Sequence, residues 1–184
     1  MHLRSRLGFA LLASLLLLGS CAALDSPGWR SKLDRRLTRY GHRNWIAVVD
    51  SAYPAQARES IETVVTGASQ LEVVRAVLDA VSKSRHVRAQ IFLDRELEFV
   101  DDHDAPGIAA YRSQLAELLK GRTIERSPHK NIIESLDSAG TGYELLVLKT
   151  DLALPYTSVF LRLNCGYWSD EQENHLREAM EVKR

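Results

Sequence analysis

The run Trp45-Ile46-Ala47-Val48-Val49 constrains this chain more than any other segment. It is too short for a helix, and its unbroken apolarity leaves no polar face to turn toward water. That pattern describes a strand buried on both sides, the kind found inside an α/β sheet. Gly41-His42 stands before the run, and Asp50-Ser51-Ala52-Tyr53-Pro54 follows it. Asp50 therefore falls beyond the carboxyl end of a strand, where open α/β sheets hold their ligands. A strand advances ~3.3 Å per residue, so the eight-residue step from His42 to Asp50 is too long for the two side chains to meet. For both to serve one pocket, the loop carrying His42 must fold back, or a neighbouring subunit must help.

Helical and strand signals alternate along the rest of the chain. Trp29, Leu33, Leu37 and Tyr40 fall at helical spacing, which predicts an amphipathic helix from Ser26-Pro27 to Arg39. Ile61 to Val65 reads as a β-branched strand ended by Gly67. Ser69 caps a helix whose stripe is Leu71, Val74, Leu78 and Val81, and Val87 to Leu93 reads as a strand. Pro106 opens a helix with Ile108, Tyr111, Leu115, Leu118 and Leu119 inward, ended by Gly121. Thr123 to Glu125 is a short strand, Lys130 to Leu136 a short helix, and Leu145 to Leu148 and Val159 to Leu163 are late strands. Ser169-Asp170-Glu171-Gln172 has the form of a capping box, predicting a helix from Asp170 to Glu181 that packs on its own domain, with cover of a neighbouring subunit as the alternative. The alternation predicts an α/β fold with a mostly parallel central sheet covered on both faces.

Composition excludes several classes. Basic and acidic residues number 24 each, and a leader carrying Arg4 and Arg6 would leave 22 basic (24 − 2) against 24 acidic. A near-neutral chain without a basic patch has no footprint for nucleic acid. There is no Gly-rich phosphate loop, no Gly-x-Ser-x-Gly elbow and no cysteine pair for zinc. Asp101-Asp102-His103-Asp104 offers ligand types for a divalent cation. Consecutive loop residues seldom converge on one ion, however, so this reads as an acidic surface loop. Glu171 and His175 share a helical face but lack a third ligand. No metal and no cofactor are expected. Cys21 and Cys165 are the two cysteines, no intrachain disulfide is expected, and Cys165 reads as a buried small hydrophobe.

The N-terminal segment reads as an export signal. Met1 to Arg6 holds two arginines, and Leu7 to Leu18 is a small and apolar stretch of twelve residues. That is short of the ~20 residues that span a bilayer. Leu18-Gly19-Ser20-Cys21 resembles a bacterial lipobox, which implies residues 1–21 as a lipoprotein signal with Cys21 lipidated. Ordinary cleavage after Ala23 is the alternative. The expected location is the bacterial cell envelope, held to the membrane by the N-terminal lipid. Residues 22–184 then form a single domain, with a helical extension from about residue 169.

Three stretches carry a resemblance to the ribose pyranase/fucose mutarotase family, RbsD/FucU. Gly41-His42, the apolar strand, Asp50-Ser51-Ala52 and Pro54 form the first. Ser127-Pro128-His129 before a helical segment is the second, and Pro155-Tyr156-Thr157-Ser158 leading into Val159-Phe160-Leu161 is the third. The resemblance covers roughly Leu33 to Gly166. It implies a three-layer α/β/α fold and a monosaccharide isomerase that interconverts anomeric or ring forms of an aldose without a cofactor. It also implies a homo-oligomer, commonly a decameric ring, with sites completed between subunits. In that frame His42 is the general acid/base, and Asp50, His129, Tyr156, Thr157 and Ser158 bind the sugar. Ser158 stands where the family commonly has Asn, and the segment around Asp137 to Tyr143 is longer than usual.

Each residue taken singly has a plainer reading. A His after a helix-ending Gly can cap the last carbonyls, an Asp at a strand end can close a turn, and Tyr156 can be a rim aromatic. Jointly and in family order, the sugar site outweighs them. The rival from another class is a non-catalytic envelope module that keeps the fold but binds a sugar or a partner.

Overall fold

The computed structural model describes residues 28–182. The leader and the lipobox Cys21 lie outside the described residues. Among the described residues, five helices and six strands follow in order. They are α1 (Trp29–Arg39), β1 (Trp45–Val49), β2 (Ile61–Val65), α2 (Gln70–Lys83), β3 (Val87–Asp94), α3 (Ile108–Leu118), β4 (Ile124–Ser127), α4 (His129–Ala139), β5 (Leu145–Lys149), β6 (Val159–Cys165) and α5 (Asp170–Val182). A 3-10 turn over Arg95–Glu98, which has no apolar periodicity to announce it, follows β3. Among the described residues no helix is long and apolar enough to cross a membrane.

The strands form one sheet in the order β2-β5-β1-β6-β3-β4. The pairs β2–β5, β5–β1 and β3–β4 are parallel, whereas β6 runs antiparallel to both neighbours, β1 and β3. The mostly parallel sheet expected from the alternation is therefore present, with one reversed strand at its centre. All five residues of β1 are buried, as a strand covered on both faces must be.

The two faces are covered unequally. Leu33 and Leu37 of α1, Val73, Val74, Val77 and Val81 of α2 and Ile108 and Leu115 of α3 pack on Ile46, Val48, Leu146, Leu148 and Leu161. The opposite face, with Trp45, Val49, Phe92, Val147 and Phe160, is covered by Ile132 and Leu136 of α4. One helix cannot span six strands, so a cleft of about 970 Å³ opens beside it over the amino ends of β3 and β4.

Two expectations need correction. Cys165 is half-buried and borders that cleft, because β6 ends there in the open. Helix α5 has its capping box, with Ser169 N–H donating to Gln172 Oε1 at 2.7 Å and Gln172 N–H to Ser169 Oγ at 3.1 Å. It does not pack on its own domain: Leu176 is 42% and Met180 54% exposed. The acidic loop is solvent-facing, and its carboxylates serve the backbone. Asp102 Oδ1 accepts from Gly107 and Ala109 N–H at the start of α3, orphan donors that a helix start always presents.

One buried polar side chain ties the layers together. Gln70, 2% exposed in the first turn of α2, donates from Nε2 to the carbonyls of Val48 (3.0 Å) and Thr157 (2.9 Å). Its Oε1 accepts from Thr150 Oγ1 at the end of β5. The amide thereby joins β1, β5 and the start of β6 at one edge. Gln70→Leu keeps the volume and strands these partners in a dry core. We expect a loss of about 1–3 kcal/mol, read as a lowered urea midpoint.

Candidate functional site

Sheet register alone assembles a row of polar side chains. Val48 pairs with Val159 and Leu93 pairs with Val159 from the other side, so the residues just before β6 lie between the carboxyl ends of β1 and β3. One step further, Asp50 and Asp94 flank Thr157 and Ser158. Asp94 also pairs with Ser127 of β4, which puts His129, the first residue of α4, on the far side of Asp94. Adjacent strands stand ~4.8 Å apart. Asp50, Ser158, Asp94 and His129 therefore form a line across four strand ends.

Contacts within the row bear this out. Asp50 Oδ1 accepts the Ala52 N–H at 2.8 Å, and Ser158 Oγ reaches Asp50 Oδ2 at 3.4 Å. His129 Nδ1 lies 3.0 Å from Asp94 Oδ1. The backbone N–H of His129 donates to both oxygens of Glu96, at 3.0 and 2.9 Å, an acid capping a helix start. Tyr156 meets the His129 ring edge-on, with centroids 5.7 Å apart. Its φ of 56° is a left-handed backbone that a bulky residue seldom adopts and that clusters at functional sites. Thr157 is buried, and its carbonyl is held by Gln70 and by the Tyr111 hydroxyl at 2.7 Å.

Of the residues singled out in the sequence, Asp50, His129, Tyr156, Thr157 and Ser158 come together here. His42 does not join them within the chain. The loop after α1 continues straight into β1, with Arg43 N–H on the Leu163 carbonyl, and the five residues of β1 span ~17 Å between the two edges. His42 is exposed and borders the 970 Å³ cleft at the opposite edge, with Arg43, Arg88 and Arg162. The carbonyl-capping role that a His can play at the end of α1 belongs to His86, whose Nε2 lies 3.1 and 3.0 Å from the carbonyls of Leu37 and Tyr40.

Sequence reasoning missed Asp94 and Glu96. Asp94 follows a strand read as ending at Leu93, and an acid at that strand end, beside a second strand end, was the available signal. Its side chain is wholly buried. Burial pushes its carboxyl up from 3.8 to about 6, against the opposing pull of His129, with Glu96 and Asp50 adding to the rise.

No protein-family model and no curated protein matches the chain. Among solved structures, the Bacillus subtilis RbsD complexed with D-ribose aligns at 14% identity and a TM-score of 0.52, over 73% of this chain and 92% of that one. FucU from Bifidobacterium longum aligns at 16% identity and a TM-score of 0.50, over 73% and 94%. The fold is RbsD-like. At these identities the likeness is one of fold, and the site has to be argued from its own residues.

The raised Asp94 has a consequence for stability. Between pH 4 and 6 the native carboxyl holds a proton that the unfolded chain has released, so stability contributed here falls as pH rises through that window. Asp94→Asn removes the dependence. Urea unfolding at pH 4.5 and 7.5 should show the variant gaining on the native chain at the higher pH, by on the order of 1–3 kcal/mol.

Proposed function

We propose that this chain is a monosaccharide mutarotase or pyranase of the cell envelope. The observation that carries the reading is the row Asp50–Ser158–Asp94–His129, in which three separate stretches of family resemblance meet at one strand edge. RbsD, whose fold it shares, is a ribose-bound protein in the structure it was compared with. Carboxylates and hydroxyls accept and donate hydrogen bonds as sugar hydroxyls require, and an imidazole changes charge near neutral pH.

The reaction needs one base and one acid. A proton leaves the anomeric hydroxyl while another reaches the ring oxygen, the C1–O5 bond breaks, and the open-chain aldehyde recloses on either face or through another hydroxyl. Nothing is oxidised and no group is transferred. Asp50 and Ser158 hold the sugar hydroxyls, and the Tyr156 ring and hydroxyl form the rim with the Thr157 backbone beneath. His129 is the proton carrier the chain places at the row, with 38% of its side chain exposed. His42, the acid/base group of the family resemblance, enters from a second copy, so that two imidazoles share acid and base duties. Sites of this kind are completed between subunits, and the protein is a homo-oligomer in this reading. Positioned proton transfer of this type contributes ~10²–10⁴-fold.

Exchange NMR on a panel of aldoses tests the reading. Native protein should accelerate anomer or pyranose–furanose exchange, and His42→Ala and His129→Ala should each lose on the order of 10²-fold. Mixing the two variants should restore part of the rate, since some shared sites regain both imidazoles. Binding without acceleration would identify the non-catalytic module instead. We also place the protein on the membrane through a lipid on Cys21. Cys21→Ser should then move it from the membrane fraction to the soluble one.

A further inference from the structure

Asp94 is the one wholly buried carboxyl at the row, and no backbone group uses it. It precedes the Arg95–Glu98 turn without capping it. Neither of its oxygens, nor His129 Nδ1, is in a well-aligned hydrogen bond, although Nδ1 and Oδ1 stand 3.0 Å apart. A buried carboxyl with no structural partner is costly unless something at the site needs it. Among the described residues, the group placed to use it is the His129 imidazole, with Nδ1 3.0 Å from Oδ1.

The ring itself is fixed from three sides. Glu96 holds the His129 backbone N–H through both oxygens, Tyr156 lies edge-on to the ring, and Asp94 faces Nδ1. Nδ1 is buried while 38% of the side chain is exposed, which leaves Nε2 as the ring nitrogen free to serve the site. A neutral imidazole has one N–H and one lone pair, and the partner of one nitrogen decides which is which.

We propose that Asp94 is the positioning residue of His129: its carboxylate accepts a hydrogen bond from Nδ1–H and so leaves the lone pair on Nε2 for the site. The inference rests on the mutarotase reading for its kinetic consequence, but not for its structural one. When Asp94 is ionised, Nδ1–H donates to it and Nε2 acts as a base. When Asp94 takes a proton on acidification, its O–H donates to Nδ1 instead, the hydrogen moves to Nε2, and the base is lost. Burial raises Asp94 into the range where this exchange happens in mildly acid solution. The groups facing Asp94 are Asp50 at the end of β1, Glu96 in the turn after β3, Tyr53 in the loop after Asp50, and His129 at the start of α4. Asp50 and Glu96 favour the protonated acid and His129 opposes it.

Long-range ¹H–¹⁵N spectra of the imidazoles, with His129 assigned through His129→Gln, read the tautomer directly. In native protein at pH 8 the expected spectrum has a protonated Nδ1 and a bare Nε2 on His129. Asp94→Asn should shift the population toward Nε2–H, and Asp94→Glu should restore the native tautomer in part. In the exchange assay Asp94→Asn should lower kcat about 10-fold or more with little change in KM. It should also abolish the acid limb of the pH profile. A native His129 that carries its proton on Nε2 at pH 8 overturns the proposal without any variant. An unchanged tautomer in Asp94→Asn overturns it as well. If no aldose is turned over at all, the mutarotase reading fails while the spectra still decide the role of Asp94.

Discussion

Strand β6 runs against five parallel strands, and its hydrogen-bond register with β1 and β3 is the constraint on which the candidate site depends. In an all-parallel sheet, every carboxyl-end loop would leave in the same direction and neighbouring strands would contribute only their ends. A reversed strand brings its beginning to that same edge. Tyr156, Thr157 and Ser158, which introduce β6, thereby enter between Asp50 and Asp94, which terminate β1 and β3. The site is thus a product of pairing, and a slip of β6 by one residue would turn Ser158 to the other face of the sheet, away from both carboxylates.

Holding that edge requires polar ties inside an apolar core. Gln70 reaches the Val48 and Thr157 carbonyls and takes the Thr150 hydroxyl, and Tyr111 adds a second donor to Thr157. These bonds sit directly beneath the row. They over-determine the backbone there, which is the condition under which Tyr156 can persist at a φ of 56°. The apolar layers supply stability, with α1, α2 and α3 burying one face of the sheet. The polar ties supply position. A core made only of Val and Leu at these places would fold the sheet without fixing where its edge loops begin.

The elements were legible because their signals are local. Trp45–Val49 and Ile61–Val65 show as apolar or β-branched runs, and the capping box at Ser169 shows as a four-residue pattern; all three are where the sequence puts them. Asp50, His129 and Tyr156 to Ser158 could be named from their order and local context. Asp94 could not, because its importance comes from pairing with Ser127 of β4 and Nδ1 of His129, both more than thirty residues away. The direction of β6 is invisible to periodicity, since a strand reads the same both ways. The exposure of α5 was missed for a related reason. Leu176 and Met180 form an apolar stripe that predicts a buried face, and nothing local says whether the chain's own domain lies within reach.

His42 marks the boundary of what one chain can assemble. It stands at the amino end of β1 while the row lies at the carboxyl end, and the strand between them is straight and buried on both sides. No loop motion short of unfolding β1 brings the two together, so any shared role is one between copies. The chain's own half is open, with Tyr156 40% exposed and the outer edge of His129 facing solvent. A sugar held there alone would keep one side in water, where hydrogen bonds to carboxylates are weak. A second copy that brought His42 would close that side, dry the site and supply the second imidazole in one contact. Two arrangements meet this demand. A two-fold pair would complete two sites in one interface, whereas a head-to-tail contact would complete one site per interface and close into a ring where its rotation allows. In both, the unused edge of one chain would become the wall of the next, and assembly and site formation would be the same event.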